Sequence, residues 1–305
     1  MKHLREFVTL LQLNGIALKQ GELMCRHTSF QIGGPVDVMV FPESGAQLSK
    51  ILELAQSYDI HPMVMGAGSN MLCPDQGLET VMIETRTGLT GITQLEGDRI
   101  EAQAGVTLAK LAVFAMEQGL TGLEFAHGIP GTLGGGIYMN AGAYGGEMAD
   151  VLESVTVLRR DGTQETVPAE KLELRYRHSR FMEEDSIILS GVIKLCPGNK
   201  DQIQSKMREL MGKRKTSQPL EYPSAGSTFK RPKTGYAAAL IDQAGLRGLT
   251  VGGAQVSEKH AGFVINRGGA TCQDVLRLME EVKTRVLNHS GVELEPEVRV
   301  LEVKK

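Results

Sequence analysis

Gly128-Ile129-Pro130-Gly131-Thr132-Leu133-Gly134-Gly135-Gly136-Ile137-Tyr138-Met139-Asn140-Ala141-Gly142-Ala143-Tyr144-Gly145-Gly146 carries eight glycines. At that density backbone N–H groups are uncovered and φ > 0 is open, so the chain can lie against a phosphate or a flat ring. Ile129, Leu133, Ile137 and Met139 supply apolar anchors that a flexible glycine linker lacks. A second reading also fits the spacing, in which the glycines only let turns pack closely. The segment Gly66-Ala67-Gly68-Ser69-Asn70 adds to the first. It follows Pro62-Met63-Val64-Met65, a short apolar strand emptying into a tight loop. Two strand-associated glycine loops point to a diphosphate held between them. A bulky side chain at Gly68 or Gly134 is then expected to block that approach while leaving the chain folded.

The two common nucleotide fingerprints are missing. Gly66-x-Gly68 is followed by Met71 where a Rossmann loop has its third glycine. No Gly-x-x-x-x-Gly-Lys-Ser/Thr occurs, which excludes a P-loop. The loops belong to another fold.

At 305 residues the chain is long enough for two or three domains. Its 41% hydrophobic and 23% charged content is that of an ordinary soluble protein. A net charge of −3 without like-charge blocks argues against nucleic-acid and anionic-membrane partners. Phe7 to Leu18 is broken by Thr9, Gln12 and Asn14, which reads as an amphipathic helix and not a signal segment, and no run is long enough to insert in a membrane. Cys25, Cys73, Cys196 and Cys272 are scattered and read as buried thiols of a reducing cytoplasm. No histidine pair has metal-ligand spacing, so no metal is expected.

In order, helices are predicted over 4–14, 46–58 (with Ser44 as N-cap), 108–118 (stopped by Gly119), 201–214, 236–244 and 273–288. Strands are predicted over 36–40, 80–83, 99–104, 186–195 and 262–266, with a closing strand from Val292 to Val303. Leu152 to Arg159 and Thr163 to Val167 flank Asp161-Gly162, the signature of a hairpin with a type I′ turn. Pro197-Gly198-Asn199 is the predicted boundary of the first large unit. Strands and helices mix without regular βαβ repetition, so the class is α+β.

Several residues can do chemistry. Ser227, between Gly226 and Thr228, can donate a proton or simply satisfy a turn. Arg177, in Tyr176-Arg177-His178-Ser179-Arg180, can grip a carboxylate or belong to a solvated patch. Strand alternation puts Glu293, Glu295, Glu297 and Arg299 on one face, so Glu297 is either part of an exposed ladder or a carboxylate delivered to a site. Lys215 and Lys230 divide between solubility and phosphate binding.

Taken in order, Gly-Ala-Gly-Ser-Asn (66–70), Gly-Ile-Pro-Gly-Thr-Leu-Gly-Gly (128–135), Asn-Ala-Gly-Ala-Tyr-Gly (140–145), Tyr-Arg-x-Ser (176–179), Ala-Gly-Ser-x-Phe-Lys (225–230) and Glu-Pro-Glu-Val-Arg (295–299) closely resemble the UDP-N-acetylenolpyruvoylglucosamine reductase family. The resemblance covers nearly the whole chain. It implies an N-terminal helical segment (1–30) and an FAD-binding domain of the vanillyl-alcohol-oxidase type over 31–196, with lobes of about 31–84 and 85–196. A substrate domain over 198–305 follows, its last strand returning to the flavin site. The brief approach from Ser217 to Ser224 matches the shorter subtype of the family.

The implied reaction is NADPH-dependent reduction of UDP-N-acetylglucosamine enolpyruvate to UDP-N-acetylmuramate through non-covalent FAD, in the cytoplasm, for peptidoglycan precursors. The resemblance makes Ser227 the proton donor and pairs Arg177 with Glu297 on the substrate carboxylate. It implies flavin contacts from Gly66, Ala67, Gly68, Ser69, Asn70, Gly128, Ile129, Pro130, Gly131, Thr132, Gly134, Gly135, Gly142 and Arg299. Substrate contacts are implied for Tyr144, Lys215, Lys230 and Arg231, the last standing where longer members have Asn. A flavin oxidase of the same fold, with covalent attachment through a residue such as His127, and a non-catalytic nucleotide-binding regulator are the rival readings.

Overall fold

The computed structural model describes residues 2–302. They fall into two compact units. The first comprises residues 2–20, Val38–Ala67 and Thr80–Lys213, and the second Gly21–Asp37, Gly68–Glu79 and 214–302. Pro197-Gly198-Asn199 lies inside the first unit, whose last boundary falls within a helix.

A four-stranded sheet is ordered Ala17–Leu23, Pro35–Phe41, Leu78–Glu84, Met63–Met65, and in the first unit α1 (Lys2–Leu13) and α2 (Gly45–Ser57) pack on its residues 38–41 and 80–84. Phe7, Leu11, Leu48 and Ile51 are fully buried with Val38, Val40 and Ile83. The stripe predicted for α2 is therefore its core face. Ser44 caps α2, its hydroxyl accepting from Gln47 N at 3.2 Å. The glycine loop at 66 leaves Met63–Met65, which pairs parallel with Met82–Glu84.

A second sheet in this unit has five antiparallel strands, ordered Gln164–Pro168, Leu152–Arg159, Ser186–Lys194, Arg99–Gln103, Ile92–Gln94. The apolar strand Ser186–Lys194 is central, as its composition predicts. Helices α3 (Leu108–Glu117) and α4 (Leu133–Tyr138) pack against this sheet. Thr107 caps α3 through Lys110 N at 3.2 Å, and Gly119 follows the helix at φ +71°. The unit ends within α5 (Lys200–Ser217).

The second unit has a three-stranded antiparallel sheet, Thr250–Val251, Ala254–Val256 and Val264–Asn266, with α6 (Ala237–Gln243) and α7 (Cys272–Ser290). Val275, Leu278, Val282 and Val286 are fully buried along one face of α7. Thr271 and Asp274 close a capping box at its start, and Asp75 Oδ1 accepts from Cys272 N at 2.8 Å.

Three expectations are corrected. Asp161-Gly162 does not make a type I′ turn: only Gly162 has positive φ (+84°), and Asp161 Oδ1 accepts from Thr163 N at 2.9 Å, which favours an Asx turn. The type I′ hairpin is at Tyr144-Gly145, φ +54° and +89°, between Gly142–Ala143 and Gly146–Glu147. No strand runs through Val292–Val298; only Arg299–Val300 is strand, paired parallel with Met71–Leu72, and Val303 lies outside the described residues. Leu294 and Val298 are buried four residues apart, and Pro296 has no N–H for a ladder. Finally, Cys73 and Cys272 are buried, but Cys196 is exposed and Cys25 half-buried.

Candidate active site

In the first unit Gly66 of one glycine segment touches Thr132 of the other. A Cβ on Gly66 would lie 2.1 Å from Thr132 Oγ1, so only glycine fits beside that side chain. Thr132 is buried and caps α4, its hydroxyl accepting from Gly135 N at 3.4 Å. The first-turn amides of α4 are already engaged: Leu133 N donates to Val106 O at 2.7 Å and Gly134 N to Ala104 O at 2.8 Å. Gly134 and Gly136 serve packing, since their Cβ atoms would meet Ala104 Cβ at 2.9 Å and Leu108 Cδ1 at 3.3 Å. The close-packing reading therefore accounts for these two glycines. The loop from Gly66 to Ser69 differs. The N–H groups of Ala67, Gly68 and Ser69 find no acceptor among the described residues, and Gly68 has φ +60°. A run of bare amides is an anion-binding concavity and fits a diphosphate. Beside Gly128, His127 has its Nδ1 buried without a hydrogen-bond partner among the described residues, and burial pushes its pKa down, so the ring is neutral at pH 7.

Arg177 is held by the second half of the same stretch. Tyr176-Arg177 forms the tip of a turn closed by hydrogen bonds in both directions between Arg175 and His178. Arg177 has φ +52°, a left-handed conformation that costs a non-glycine residue roughly 1–2 kcal/mol. The turn is pinned from outside. Ser179, fully buried, donates to Tyr138 O at 2.7 Å, and Asn140, also fully buried, donates to Arg175 O at 3.2 Å and accepts from Ala149 N at 2.9 Å. Arg177 Nη2 donates to Gly142 O at 3.3 Å, and the guanidinium lies 5.0 Å from the Tyr176 ring centroid. Ser179 and Asn140 belong to motifs quoted above, yet nothing in their spacing reveals that they lock the arginine turn. Tyr144 stands half-exposed at the tip of its hairpin. Gly142 is required there, since a Cβ would come 2.7 Å from Gly146 O.

In the second unit, Ser227 is exposed on a loop whose preceding Gly226 has φ +78°. Thr228, next to it, is buried, and its carbonyl accepts from Glu297 N at 2.8 Å. Phe229 bridges Pro296, and Lys230 N donates to Glu295 O at 2.8 Å, so 228–230 and 295–297 run antiparallel. Asn70 Nδ2 donates to Glu297 O at 3.1 Å, and Arg299 N donates to Asn70 O at 3.1 Å. Ser227, Glu297, Asn70 and Arg299 are thus assembled in one place. Lys230 pairs with Glu295, a half-exposed ion pair of small energetic weight. Arg231 stacks 4.0 Å from the Tyr236 ring centroid, and Lys215 is exposed, its carbonyl accepting from Lys259 Nζ at 2.8 Å.

Comparison with known proteins gives the family. Residues 36–167 match a family model described as FAD binding domain, and residues 218–301 match the C-terminal domain of UDP-N-acetylenolpyruvoylglucosamine reductase. The chain is an FAD-dependent oxidoreductase of α+β architecture. The protein named UDP-N-acetylenolpyruvoylglucosamine reductase from Agathobacter rectalis is 48% identical over 301 residues, covering 95% of this chain and 96% of the relative. The one from Clostridium tetani is 44% identical over 303 residues, covering 99% and 98%. The crystal structure of UDP-N-acetylenolpyruvylglucosamine reductase from Thermus caldophilus superposes with a TM-score of 0.81 at 34% identity, over 94% of this chain and all of that one. This chain belongs to the UDP-N-acetylenolpyruvoylglucosamine reductase family, which serves peptidoglycan synthesis. Among the described residues no helix is long and apolar enough to cross a membrane.

Proposed function

We propose that the chain reduces the enolpyruvyl group of UDP-N-acetylglucosamine enolpyruvate, with NADPH as the hydride source, to give UDP-N-acetylmuramate. Bound non-covalently, FAD supplies hydride transfer from nicotinamide to the β-carbon of the enol ether. The residues of the chain handle the charge and the proton. Charge develops on the α-carbon and carboxylate, where the Arg177 guanidinium and the Glu297 carboxyl, as a hydrogen-bond donor, stabilise it. The Ser227 hydroxyl delivers the proton to the α-carbon. The bare amides of Ala67, Gly68 and Ser69 take the cofactor diphosphate, while Ile129, Pro130, Gly131 and Thr132 wall the cofactor; Tyr144, Lys215, Lys230 and Arg231 contact the substrate.

The observation that carries this reading is the hydrogen bond from Glu297 N to Thr228 O, which seats the carboxyl-bearing residue beside the serine. Cys25, Cys73, Cys196 and Cys272 are all free thiols, which supports a cytoplasmic location. The test is NADPH oxidation by the anaerobic yellow protein with and without UDP-N-acetylglucosamine enolpyruvate, with the product weighed by mass spectrometry. Sustained NADPH consumption that depends on substrate and adds two hydrogens to it is expected. No substrate-dependent consumption under these conditions, with consumption appearing only when oxygen is admitted, would instead make the chain a flavin oxidase.

A further inference from the structure

We propose that Thr228 and His260 are positioning residues which hold Ser227 and Glu297 at the spacing proton delivery needs; this rests on the roles proposed above for Ser227 and Glu297. Thr228 engages three hydrogen-bonding groups of its own. Its N–H donates to Gly262 O at 2.9 Å, its Oγ1 accepts from Val264 N at 2.9 Å, and its carbonyl accepts from Glu297 N at 2.8 Å. The first bond fixes the peptide plane shared with Ser227, and the third fixes the backbone of Glu297. Serine and glutamate are therefore separated by one residue and one hydrogen bond, and that residue is buried and immobilised.

The Gly262 carbonyl that Thr228 uses is itself held in place. Gly262 N donates to His260 Nδ1 at 3.2 Å, so this ring is neutral with its proton on Nε2. Burial, together with the charge of Arg247, pushes the His260 pKa down, which keeps Nδ1 an acceptor. The turn around it is closed by Phe263 N donating to His260 O at 3.0 Å and Ser257 N donating to Phe263 O at 2.8 Å. The buried Ser257 hydroxyl accepts from Lys259 N and His260 N, both at 3.2 Å, and Phe263 packs edge-on against the imidazole at 5.0 Å between centroids. Arg247 ties the turn to α6, its guanidinium gripping Asp242 through Nη2 at 2.9 Å and Glu258 O through Nη1 at 2.6 Å. So many bonds converging on a loop next to an exposed serine point to a frame that sets where the serine hydroxyl can go. Neither side chain has to touch substrate to matter: a displacement near 1 Å at a reacting group can cost about 10²-fold in rate.

Stopped flow on the flavin-loaded protein separates flavin reduction by NADPH from flavin reoxidation by UDP-N-acetylglucosamine enolpyruvate. Thr228→Val keeps the shape but loses the acceptor for Val264 N, and His260→Ala loses the acceptor for Gly262 N. Both are expected to slow reoxidation by roughly 10- to 100-fold while reduction by NADPH stays within about twofold. Thr228→Ser and His260→Asn, which restore an acceptor, are expected to recover most of the rate. In amide hydrogen exchange, Thr228 and Glu297 should exchange faster in the two impaired variants. The loss in Ser227→Ala with Thr228→Val should fall short of the product of the two single losses, because part of the Thr228 effect runs through the serine. If Thr228→Val does not fold, the His260→Ala and His260→Asn pair carries the same comparison. Wild-type reoxidation in His260→Ala, equal loss in both half-reactions, or multiplied losses in the double variant would overturn the inference. An unimpaired Ser227→Ala would strike down the serine's own role, and positioning with it. An impaired Ser227→Ala beside unimpaired Thr228→Val and His260→Ala would remove positioning alone.

Discussion

Gly66→Ala tests whether the two glycine segments form a single flavin cradle. The new methyl would sit 2.1 Å from Thr132 Oγ1 and 3.2 Å from both Thr132 Cβ and Cγ2. Thr132 cannot step aside freely, because it is buried and caps α4. Overpacking of this kind costs about 1–3 kcal/mol. Thr132→Ala alone forfeits a long cap bond, about 0.5–1 kcal/mol given its 3.4 Å length. In the double variant the methyl enters the space that Oγ1 leaves, so the losses should not add. A favourable coupling of about 1–2 kcal/mol is expected. Flavin per protein, read from visible absorbance, and melting temperature are measured for all four proteins. Gly66→Ala should purify with markedly less flavin and a lower melting temperature, and adding Thr132→Ala should recover part of both. Full flavin content in Gly66→Ala, or strictly additive losses, would refute the packing argument.

The thiols should separate by reactivity at pH 8. Burial pushes Cys73 up to about 12 and Cys272 up to about 11, leaving thiolate fractions of roughly 10⁻⁴ and 10⁻³, whereas Cys196 is exposed. Rapid labelling of Cys73 or Cys272 in the folded protein would contradict this. Heat or acid precipitation should release the flavin into a yellow supernatant; colour retained in the pellet would mean covalent attachment. Burial lowers the pKa of both His127 and His260, so the unfolded chain binds more protons below its histidine pKa of about 6.5. The stability these rings contribute is present above about pH 6.5 and is lost as pH falls through their lower folded values. Melting temperature should drop between about pH 7 and 5, and less steeply in His260→Asn; a flat profile would contradict the assignment.

Much of this was legible from sequence, for physical reasons that differ by element. Ser44 and Gly119 mark helix ends through local capping geometry, and the apolar run 186–195 marks a central strand, because such signals depend on neighbours in sequence. Helix α4 was not visible, since its three glycines are poor helix formers, and two of them, Gly134 and Gly136, are present for close packing on Ala104 and Leu108. The stretch 292–298 imitates strand alternation, yet its buried residues are Leu294 and Val298. For the site, residue types such as Ser227, Arg177 and Glu297 stood out by their chemistry. The groups that hold them did not. Asn140, Ser179 and Thr228 act through backbone atoms distant in sequence, and His260 acts through nearby Gly262, whose carbonyl meets the distant Thr228; no spacing rule reports such partners.

The most direct test of the proposed chemistry is Ser227→Ala in anaerobic stopped flow, with flavin absorbance following each half-reaction. If the hydroxyl gives the α-carbon its proton, reduction by NADPH should stay near wild type. Reoxidation by UDP-N-acetylglucosamine enolpyruvate should fall by at least the roughly 10²–10⁴-fold typical of a lost general acid. Equal slowing of both half-reactions, or reoxidation at the wild-type rate, would contradict the assignment.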